Sequence, residues 1–288
     1  MSDQKYDFYL EYFNGELGKV FDSLSADAPD VIKDAMRYAT EGGGKRIRPV
    51  LLLAAAEMLG VKKEKALPFS ISLELIHSYS LVHDDLPAMD NDDFRRGKPS
   101  THKKFGEAYG ILCGDALLNF AFEYALSFVE NKDDIAALKI LADLSGYNGT
   151  IKGQVLDLYY QGVSADEKVL YEIYLNKTAN LLIAPFLMAS ALSGGKYADE
   201  LKELGKNLGL LFQFTDDILD MEGTLSEIGK TPLKDEIEDK LTSVKIFGIV
   251  GAKHKCLMYY NNCLNILSKI KGSEFIQSLV ESVYRRKK

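Results

Sequence analysis

The chain has 288 residues, of which 47% are hydrophobic and 27% charged, as in an ordinary globular protein. That length allows one large domain or two ordinary ones. The net charge of −7 argues against a nucleic-acid partner, and no run of about 18 apolar residues predicts a membrane span or a secretion leader. Three cysteines (Cys113, Cys256 and Cys263) form no CxxC pair, which is typical of reduced thiols. We therefore expect a cytoplasmic protein without stable membrane insertion.

Helical periodicity runs along the whole chain. Apolar helices are predicted, in order, over LLLAAAEMLG, ALPFSISLELIHSYSLVHDD, GILCGDALLNFAFEYALSFVE, TANLLIAPFLMASALSGG and ELGKNLGLLFQFTDDILDM. Several are apolar nearly all round, which predicts burial on more than one face. There are no alternating strands, no βαβ unit and no glycine-rich phosphate loop. The sequence therefore predicts one all-α domain over residues 1–288, with ten or more helices.

The first polar cluster lies in HDDLPAMDNDDFRRG, which holds five aspartates within ten positions. Asp84 and Asp90 are six residues apart, so a continuous helix would turn them about 120° from one another. Pro87 stands between them and predicts that the helix yields there. The later carboxylate can then swing back beside the first. His77 lies seven residues before Asp84, almost directly beneath it on the helix.

The second polar cluster is TDDILD. Asp216 and Asp220 lie about 40° apart on one helix face, and Gln213 shares that face. Groups of carboxylates without nitrogen or sulfur ligands suit hard cations such as Mg²⁺, whereas the spacing does not match a calcium loop. One such cluster alone would be interpreted as a solvated acidic loop. Two clusters on two apolar helices favour a metal site.

Basic residues accompany both clusters. They are Lys45, Arg46 and Arg48 in EGGGKRIRP, Arg95 and Arg96 after the first cluster, Lys177 beside Thr178 in YLNKTANLL, and Lys230 and Lys240 after the second cluster. A single lysine is usually a solvated surface residue, but guanidinium forks match phosphate oxygens. The pattern predicts two anionic ligands, one bound through Mg²⁺ and the other bound directly.

Further motifs complete a specific pattern, which runs GGGKRIRP, IHSYSLVHDDLPAMDNDDFRRGKPSTHKKFG, GDALL, GQ, NKT, FQFTDDILD, GK and KLT. In order and spacing these motifs resemble the trans-polyprenyl diphosphate synthases, and most closely the bacterial farnesyl diphosphate synthases. The resemblance covers nearly the whole chain. It implies an isoprenoid-synthase-type helical bundle around a deep central cavity, a homodimer, and three Mg²⁺ ions between the two aspartate-rich motifs.

The resemblance also implies roles for individual residues. Metal ions are expected at Asp84, Asp90 and the neighbouring Asp85 on one side, and at Asp216, supported by Asp220, on the other. Isopentenyl diphosphate is expected at Lys45, Arg48, His77 and Arg96. The allylic diphosphate is expected at Arg95, Lys177, Gln213 and Lys230, with Thr178 and Lys240 in the same site. The catalytic residues are then Asp84, Asp85, Asp90, Arg95, Lys177, Asp216 and Lys230.

The implied reaction is ionisation of the allylic C–O bond, attack by isopentenyl diphosphate and loss of a proton. Tyr79 lies five residues before Asp84, about 7.5 Å along the helix, with Ser80 beside it. In the resembling family a bulky residue at this position stops chain growth. We therefore expect farnesyl diphosphate as the product, formed from dimethylallyl and then geranyl diphosphate.

Alternatives remain open. The first is the same chemistry with a geranylgeranyl or longer product, and the second is a non-catalytic regulatory subunit of the same fold. A terpene cyclase is a third, although cyclases need no second basic diphosphate site. The sequence also departs from the family pattern at Lys152, Tyr174 and Asn176, in KLTSV, which lacks a common proline, and in the loop Thr231–Asp239. We expect these departures to affect rate and loop closure rather than reaction class.

Overall fold

The computed structural model describes residues 2–222 and 240–286. Its helices are α1 (Ser2–Asp22), α2 (Asp30–Glu41), α3 (Ile47–Met58), α4 (Lys63–Asp84), α5 (Thr101–Phe105), α6 (Glu107–Leu126), α7 (Lys132–Ser145), α8 (Thr150–Tyr159), α9 (Glu167–Ile173), α10 (Asn180–Leu192), α11 (Ala198–Glu222), α12 (Ser243–Leu267) and α13 (Glu274–Tyr284). A π-helical turn, Tyr174–Ala179, joins α9 to α10. The predicted all-α bundle of ten or more helices is confirmed.

The most apolar helices form the centre of the bundle. α4 packs against α3 and α6, α10 packs against α3, α7 and α11, and α11 packs against α12. In α3 every residue from Val50 to Ala56 is buried, which a helix achieves only when neighbours cover all its faces. The predicted burial on more than one face is thus confirmed. Among the described residues no helix is long and apolar enough to cross a membrane.

One short hairpin departs from the expectation of no strands. Within residues 2–222 and 240–286, sheet is confined to β1 (Phe94–Arg95) and β2 (Lys98–Pro99), which pair antiparallel. The two turn residues, Arg96 and Gly97, have φ of 53° and 74°, the signature of a type I′ turn. The turn sends the adjacent Arg95 and Arg96 to different partners.

Candidate functional site

The segment after α4 folds back on the helix end. The N–H of Asp90 donates to the carbonyl of Asp84 at 2.8 Å, and the N–H of Asn91 donates to the carbonyl of Leu86 at 3.1 Å. Asp90 therefore lies beside Asp84, as predicted. The helix ends at Asp84, however, three residues before Pro87. The chain turns because backbone bonds of the following loop replace the helical ones.

Asp84 and Asp90 form a pair of like charges at the rim of a cavity. Burial raises the pKa of Asp84 to about 6; the charge of Lys177 opposes this shift and that of Asp90 adds to it. Lys240 Nζ lies 3.5 Å from Asp90 Oδ1. Carboxylates that repel one another in a desolvated place bind a divalent cation favourably.

The carboxylates of the two clusters suit Mg²⁺ rather than a metal whose whole coordination shell comes from the protein. Among the described residues no three His, Cys, Asp or Glu side chains already meet as a metal cage. Mg²⁺ usually takes one or two carboxylates and completes its shell with water and substrate phosphate oxygens. The two separated aspartate clusters fit that mode of binding.

Asp85 points away from this pair. It is 2% exposed, and both of its carboxylate oxygens accept hydrogen bonds from Arg95, with Nε at 3.0 and 3.2 Å. Arg95 also approaches Asp92 at 3.4 Å. The role of Asp85 as a metal ligand stays a prediction, and in this structure its oxygens bind a guanidinium that fixes the β1–β2 hairpin to the end of α4.

The second cluster lies on α11, where Asp216 and Asp220 are one turn apart on the same face. Arg286, close to the chain end, donates through Nη2 to Asp216 at 2.5 Å and to the carbonyl of Phe212 at 2.7 Å. Its guanidinium also stacks on the Phe212 ring at 4.0 Å. Sequence reasoning missed Arg286, whose one signal is the basic run RRKK at the C-terminus.

The direct anion site gathers around Arg48 and His77. The Nη1 group of Arg48 donates to His77 Nε2 at 3.1 Å, so His77 accepts in its neutral form. Burial lowers the pKa of His77 well below its usual value, and the charge of Arg48 acts in the same direction. Burial also lowers the pKa of Arg48 to about 10, which leaves it charged at neutral pH. Among the described residues the buried Nε of Arg48 has no hydrogen-bond partner, as expected for a group that binds an anion.

The glycine loop carries Lys45, and its glycines contact Arg96. Arg96 donates to the carbonyl of Gly43, and a Cβ on Gly44 would lie 2.7 Å from the Arg96 guanidinium carbon. Gly44 has φ of +113°, a backbone conformation that favours glycine. Burial lowers the pKa of Lys45, and the charge of Arg286 adds to this while Asp216 opposes it.

A buried ion pair anchors that loop. Arg46 lies between the anion-site residues Lys45 and Arg48, yet it points inward and contacts Glu74 of α4 at 2.7 Å, with both side chains 2% exposed. It also donates to the Asn14 side chain at 3.2 Å. The sequence grouped Arg46 with its basic neighbours; the structure assigns it to holding the loop on α4.

Two of the residues predicted to bind the allylic diphosphate, Lys177 and Thr178, lie on the π-helical turn. Lys177 Nζ lies 2.5 Å from Asp157 of α8, a residue that sequence reasoning missed. The Thr178 hydroxyl donates to Gln213 Oε1 at 2.7 Å. A Cβ on Gly153 would lie 2.1 Å from the backbone nitrogen of Lys177, so glycine allows α8 to touch the turn. The GQ motif thus contributes backbone contact as well as a side chain.

A cavity of about 540 Å³ lies between α4, α6, α8 and the π-helical turn. Its polar residues are Arg48, His77, Ser80, His83, Asp84, Thr150, Gln154, Lys177 and Thr178, and its apolar residues include Tyr79, Leu81, Met89, Leu118, Ile151, Val155, Leu158 and Leu181. Tyr79 is 6% exposed, and its ring lies edge-on to His83 with centroids 6.0 Å apart. Tyr79 and Ser80 both line the cavity, where a growing tail would run.

The departures from the family pattern have identifiable contacts. Lys152 forms a surface ion pair with Glu172 at 2.7 Å, and Asn176 donates to the carbonyl of Glu172 at 2.7 Å. Tyr174 is buried against α11. Lys230 and the loop 231–239 lie outside the described residues.

Comparison with known proteins follows this geometry. The polyprenyl synthetase family profile matches residues 29–279. A farnesyl diphosphate synthase of Micrococcus luteus is 44% identical over 225 residues, 77% of each chain. The large subunit 1 of a heterodimeric geranylgeranyl pyrophosphate synthase of Arabidopsis thaliana is 44% identical over 232 residues, 77% of this chain and 62% of that protein.

A solved structure agrees with the sequence matches. A geranyltransferase of Helicobacter pylori, complexed with magnesium and isoprenyl diphosphate, superposes with a TM-score of 0.87 at 30% identity, covering 98% of this chain and 97% of that one. Profile, sequence and fold coincide over most of the chain. The chain therefore belongs to the polyprenyl synthetase family of prenyltransferases.

Proposed function

We propose that the chain condenses isopentenyl diphosphate with dimethylallyl and then geranyl diphosphate, giving farnesyl diphosphate and pyrophosphate. One observation carries the proposal: a single cavity is lined by the Arg48–His77 pair, by Asp84 with Lys177, and by apolar side chains. This lining supports a direct anion site and a metal-dependent anion site that share one cavity with apolar side chains.

Two groups of residues would bind the two diphosphates. Lys45, Arg48, His77 and Arg96 would bind isopentenyl diphosphate, and Arg95, Lys177, Thr178, Gln213, Lys230 and Lys240 would bind the allylic one. In the first group, Arg48 contacts His77 at 3.1 Å, and the charge of Arg96 acts on both. In the second group, both Arg95 and Lys177 are close enough to lower the pKa of Asp84. These contacts support one anion position beside the Arg48–His77 pair and one beside Asp84.

The residues of the second site would promote ionisation. Asp84, Asp90, Asp216 and Asp220 would bind Mg²⁺, three ions by family resemblance, which supply electrophilic stabilisation of the leaving diphosphate. Lys177 would neutralise the charge that develops as the allylic C–O bond breaks and its electron pair leaves with pyrophosphate. The apolar wall, including Leu118, Met89 and Leu181, would exclude water from the carbocation.

Condensation then needs no nucleophile from the protein. With its diphosphate bound near Arg48, isopentenyl diphosphate would present its double bond to the cation and form the new C–C bond. Loss of a proton to the departing pyrophosphate would restore a double bond and complete the balance. The role of the protein would be to orient the two substrates and to exclude water from the carbocation.

Product length is the finer part of the proposal. Tyr79 lines the cavity five residues before Asp84 and is almost fully buried, which supports a floor that stops growth at fifteen carbons. The geranylgeranyl alternative keeps support from the plant relative at 44% identity. The regulatory-subunit and cyclase alternatives are less favoured, because both aspartate clusters and a separate Arg48–His77 site are present.

A homodimer is proposed for the assembly. Ile111 and Leu112 of α6 are 48% and 53% exposed, although they are adjacent and apolar. Exposed apolar neighbours of this kind support burial by a second copy of the chain. Sedimentation of wild type and Leu112→Glu would test the assembly: a dimer and a monomer are expected, whereas a monomeric wild type would contradict it.

The reaction itself is tested by incubating the protein with labelled isopentenyl diphosphate, Mg²⁺ and either dimethylallyl or geranyl diphosphate. The products are dephosphorylated and separated by reverse-phase chromatography. A fifteen-carbon alcohol from both primers is expected. A twenty-carbon product would support the geranylgeranyl alternative, and no incorporation would contradict the proposed function.

A further inference from the structure

A buried carboxylate without a role in the proposed reaction lies beside the second aspartate cluster. Asp217 is 2% exposed and follows Asp216 on α11. Its Oδ2 accepts hydrogen bonds from the Tyr174 hydroxyl, from the N–H of Ser243 at 2.7 Å and from the Ser243 hydroxyl at 2.5 Å. We call Tyr174, Asp217 and Ser243 the Asp217 cluster. A buried carboxylate is costly unless donors satisfy it, and here they come from two other elements.

The Asp217 cluster reaches the allylic site through Gln213. Asp217 Oδ1 accepts from Gln213 Nε2 at 3.0 Å, and Gln213 Oε1 accepts from the Thr178 hydroxyl at 2.7 Å. A carboxylate can only accept, so the amide must turn its NH₂ group to Asp217 and its oxygen to Thr178. Asp217 thereby sets which end of the Gln213 amide faces the cavity-lining Thr178.

The Asp217 cluster also fixes the start of α12. Ser243 is the first residue of that helix, and its N–H lies 2.8 Å from the Tyr174 hydroxyl as well as 2.7 Å from Asp217. Lys240 precedes it by three residues, and its Nζ lies 3.5 Å from Asp90. The position of Lys240 against the first aspartate cluster therefore depends on where Ser243 is held.

We propose that the Asp217 cluster is a positioning device for the condensation, which orients the Gln213 amide toward Thr178 and holds Lys240 near Asp90. The inference rests on the proposed function. It also gives the atypical positions a common account: Tyr174 stands before the NKT motif, Ser243 stands in KLTSV, and the two bind the same oxygen of Asp217.

Tyr174→Phe tests this with little change in packing. The Tyr174 ring packs edge-on against Phe214 at 5.7 Å between centroids, and phenylalanine keeps that contact. Tyr171→Phe is the matched control, since its ring lies 6.1 Å from the same Phe214 but its hydroxyl meets that of Tyr259 at 3.0 Å. Each variant loses one tyrosine hydroxyl, and both tyrosine rings pack on Phe214.

Tyr174→Phe is expected to lower kcat about tenfold, which corresponds to one lost hydrogen bond to a charged group. The KM for isopentenyl diphosphate should stay unchanged, because the Arg48–His77 site is untouched. Tyr171→Phe should keep the wild-type kcat. Thermal unfolding of all three proteins fixes an assay temperature at which each is folded.

Ser243→Ala supplies a second, independent arm. It should lower kcat in the same direction, and Tyr174→Phe combined with Ser243→Ala should lose less than the product of the two single effects, since both hydroxyls act through one carboxylate. Equal kcat in Tyr174→Phe and Tyr171→Phe overturns the inference while leaving the proposed function intact, and so do strictly multiplicative effects. A wild type without turnover contradicts the proposed function and removes the inference with it.

Discussion

The two aspartate doublets, Asp84–Asp85 and Asp216–Asp217, have the same two residues in different surroundings. Asp84 lines the cavity and the Asp216 side chain is 44% exposed, whereas the second carboxylate of each doublet is 2% exposed and bonded inside the protein. Asp85 binds one charged partner, Arg95, from an exposed hairpin. Asp217 binds neutral hydroxyl, N–H and amide donors from three elements.

The difference shows how a helix divides a doublet. Adjacent residues point about 100° apart, so two neighbouring carboxylates cannot serve one cation side by side. The outward carboxylate is the proposed metal ligand, and the inward carboxylate binds the element that packs against it. For Asp85 that element carries Arg95 and Arg96, and for Asp217 it carries Lys240.

The largest predicted effect is the loss of turnover when the outward carboxylate of either doublet, Asp84 or Asp216, is replaced. Asp84→Asn and Asp216→Asn should each lower turnover by at least about a thousandfold, because a cation at the leaving diphosphate loses a ligand. Circular dichroism should show both variants folded. Turnover near the wild-type level in either would break the comparison, since an outward carboxylate would then be dispensable.

The two anion sites should differ in which substrate they affect. Arg48→Ala should raise the KM for isopentenyl diphosphate about tenfold or more and that for the allylic substrate less, because a buried guanidinium is lost from one site. Lys177→Ala should show the reverse bias. The surface variant Lys139→Ala, whose side chain is 69% exposed, is the control. Equal changes for both substrates would show that the basic residues form a single site.

Substitution of the two inward carboxylates, Asp85 and Asp217, should lower the stability of the protein by different amounts. Asp217→Asn should lower the free energy of unfolding by about 2–3 kcal/mol, because the new amide NH₂ meets donors rather than acceptors. Asp85→Asn should lower it by about 1 kcal/mol, since Arg95 is 29% exposed and can turn to water. Urea denaturation measures both, and equal losses would remove the distinction between the two doublets.

The smallest effect on rate is expected for substitution of Tyr79, which lies on α4 before the first doublet. Tyr79→Ala should shift the product toward twenty carbons while ionisation continues, because no diphosphate ligand changes. Tyr79→Phe keeps the ring and should keep the fifteen-carbon product. Chromatography of the dephosphorylated products distinguishes them. An unchanged product from a folded Tyr79→Ala would place the floor at another residue of the cavity.

Periodicity predicted the all-α class and the most apolar helices, and motif spacing predicted some of the contacts at the candidate site. The return of Asp90 to Asp84 and the position of Tyr79 on the helix of Asp84 follow local patterns along one helix or one loop. The Arg48–His77 pair joins two helices and was expected from the family resemblance. Local patterns carry such information because helix geometry fixes which residues share a face.

The partners that sequence reasoning missed are distant along the chain. Glu74 pairs with Arg46, Asp157 with Lys177, and Arg286 with Asp216. No local rule marks these pairs, because they depend on which helices become neighbours. The π-helical turn at Lys177 was missed for a related reason: it reflects packing against α8 and α11 rather than any residue preference.

The central claim is that each doublet has one metal-facing and one anchoring member. Its most direct test is the Mg²⁺ concentration needed for half-maximal turnover, measured for Asp84→Asn, Asp85→Asn, Asp216→Asn and Asp217→Asn after EDTA treatment and readdition of Mg²⁺. The account predicts a large increase, or no measurable turnover, for Asp84→Asn and Asp216→Asn, and the wild-type Mg²⁺ requirement for Asp85→Asn and Asp217→Asn. The same increase in all four variants would contradict it.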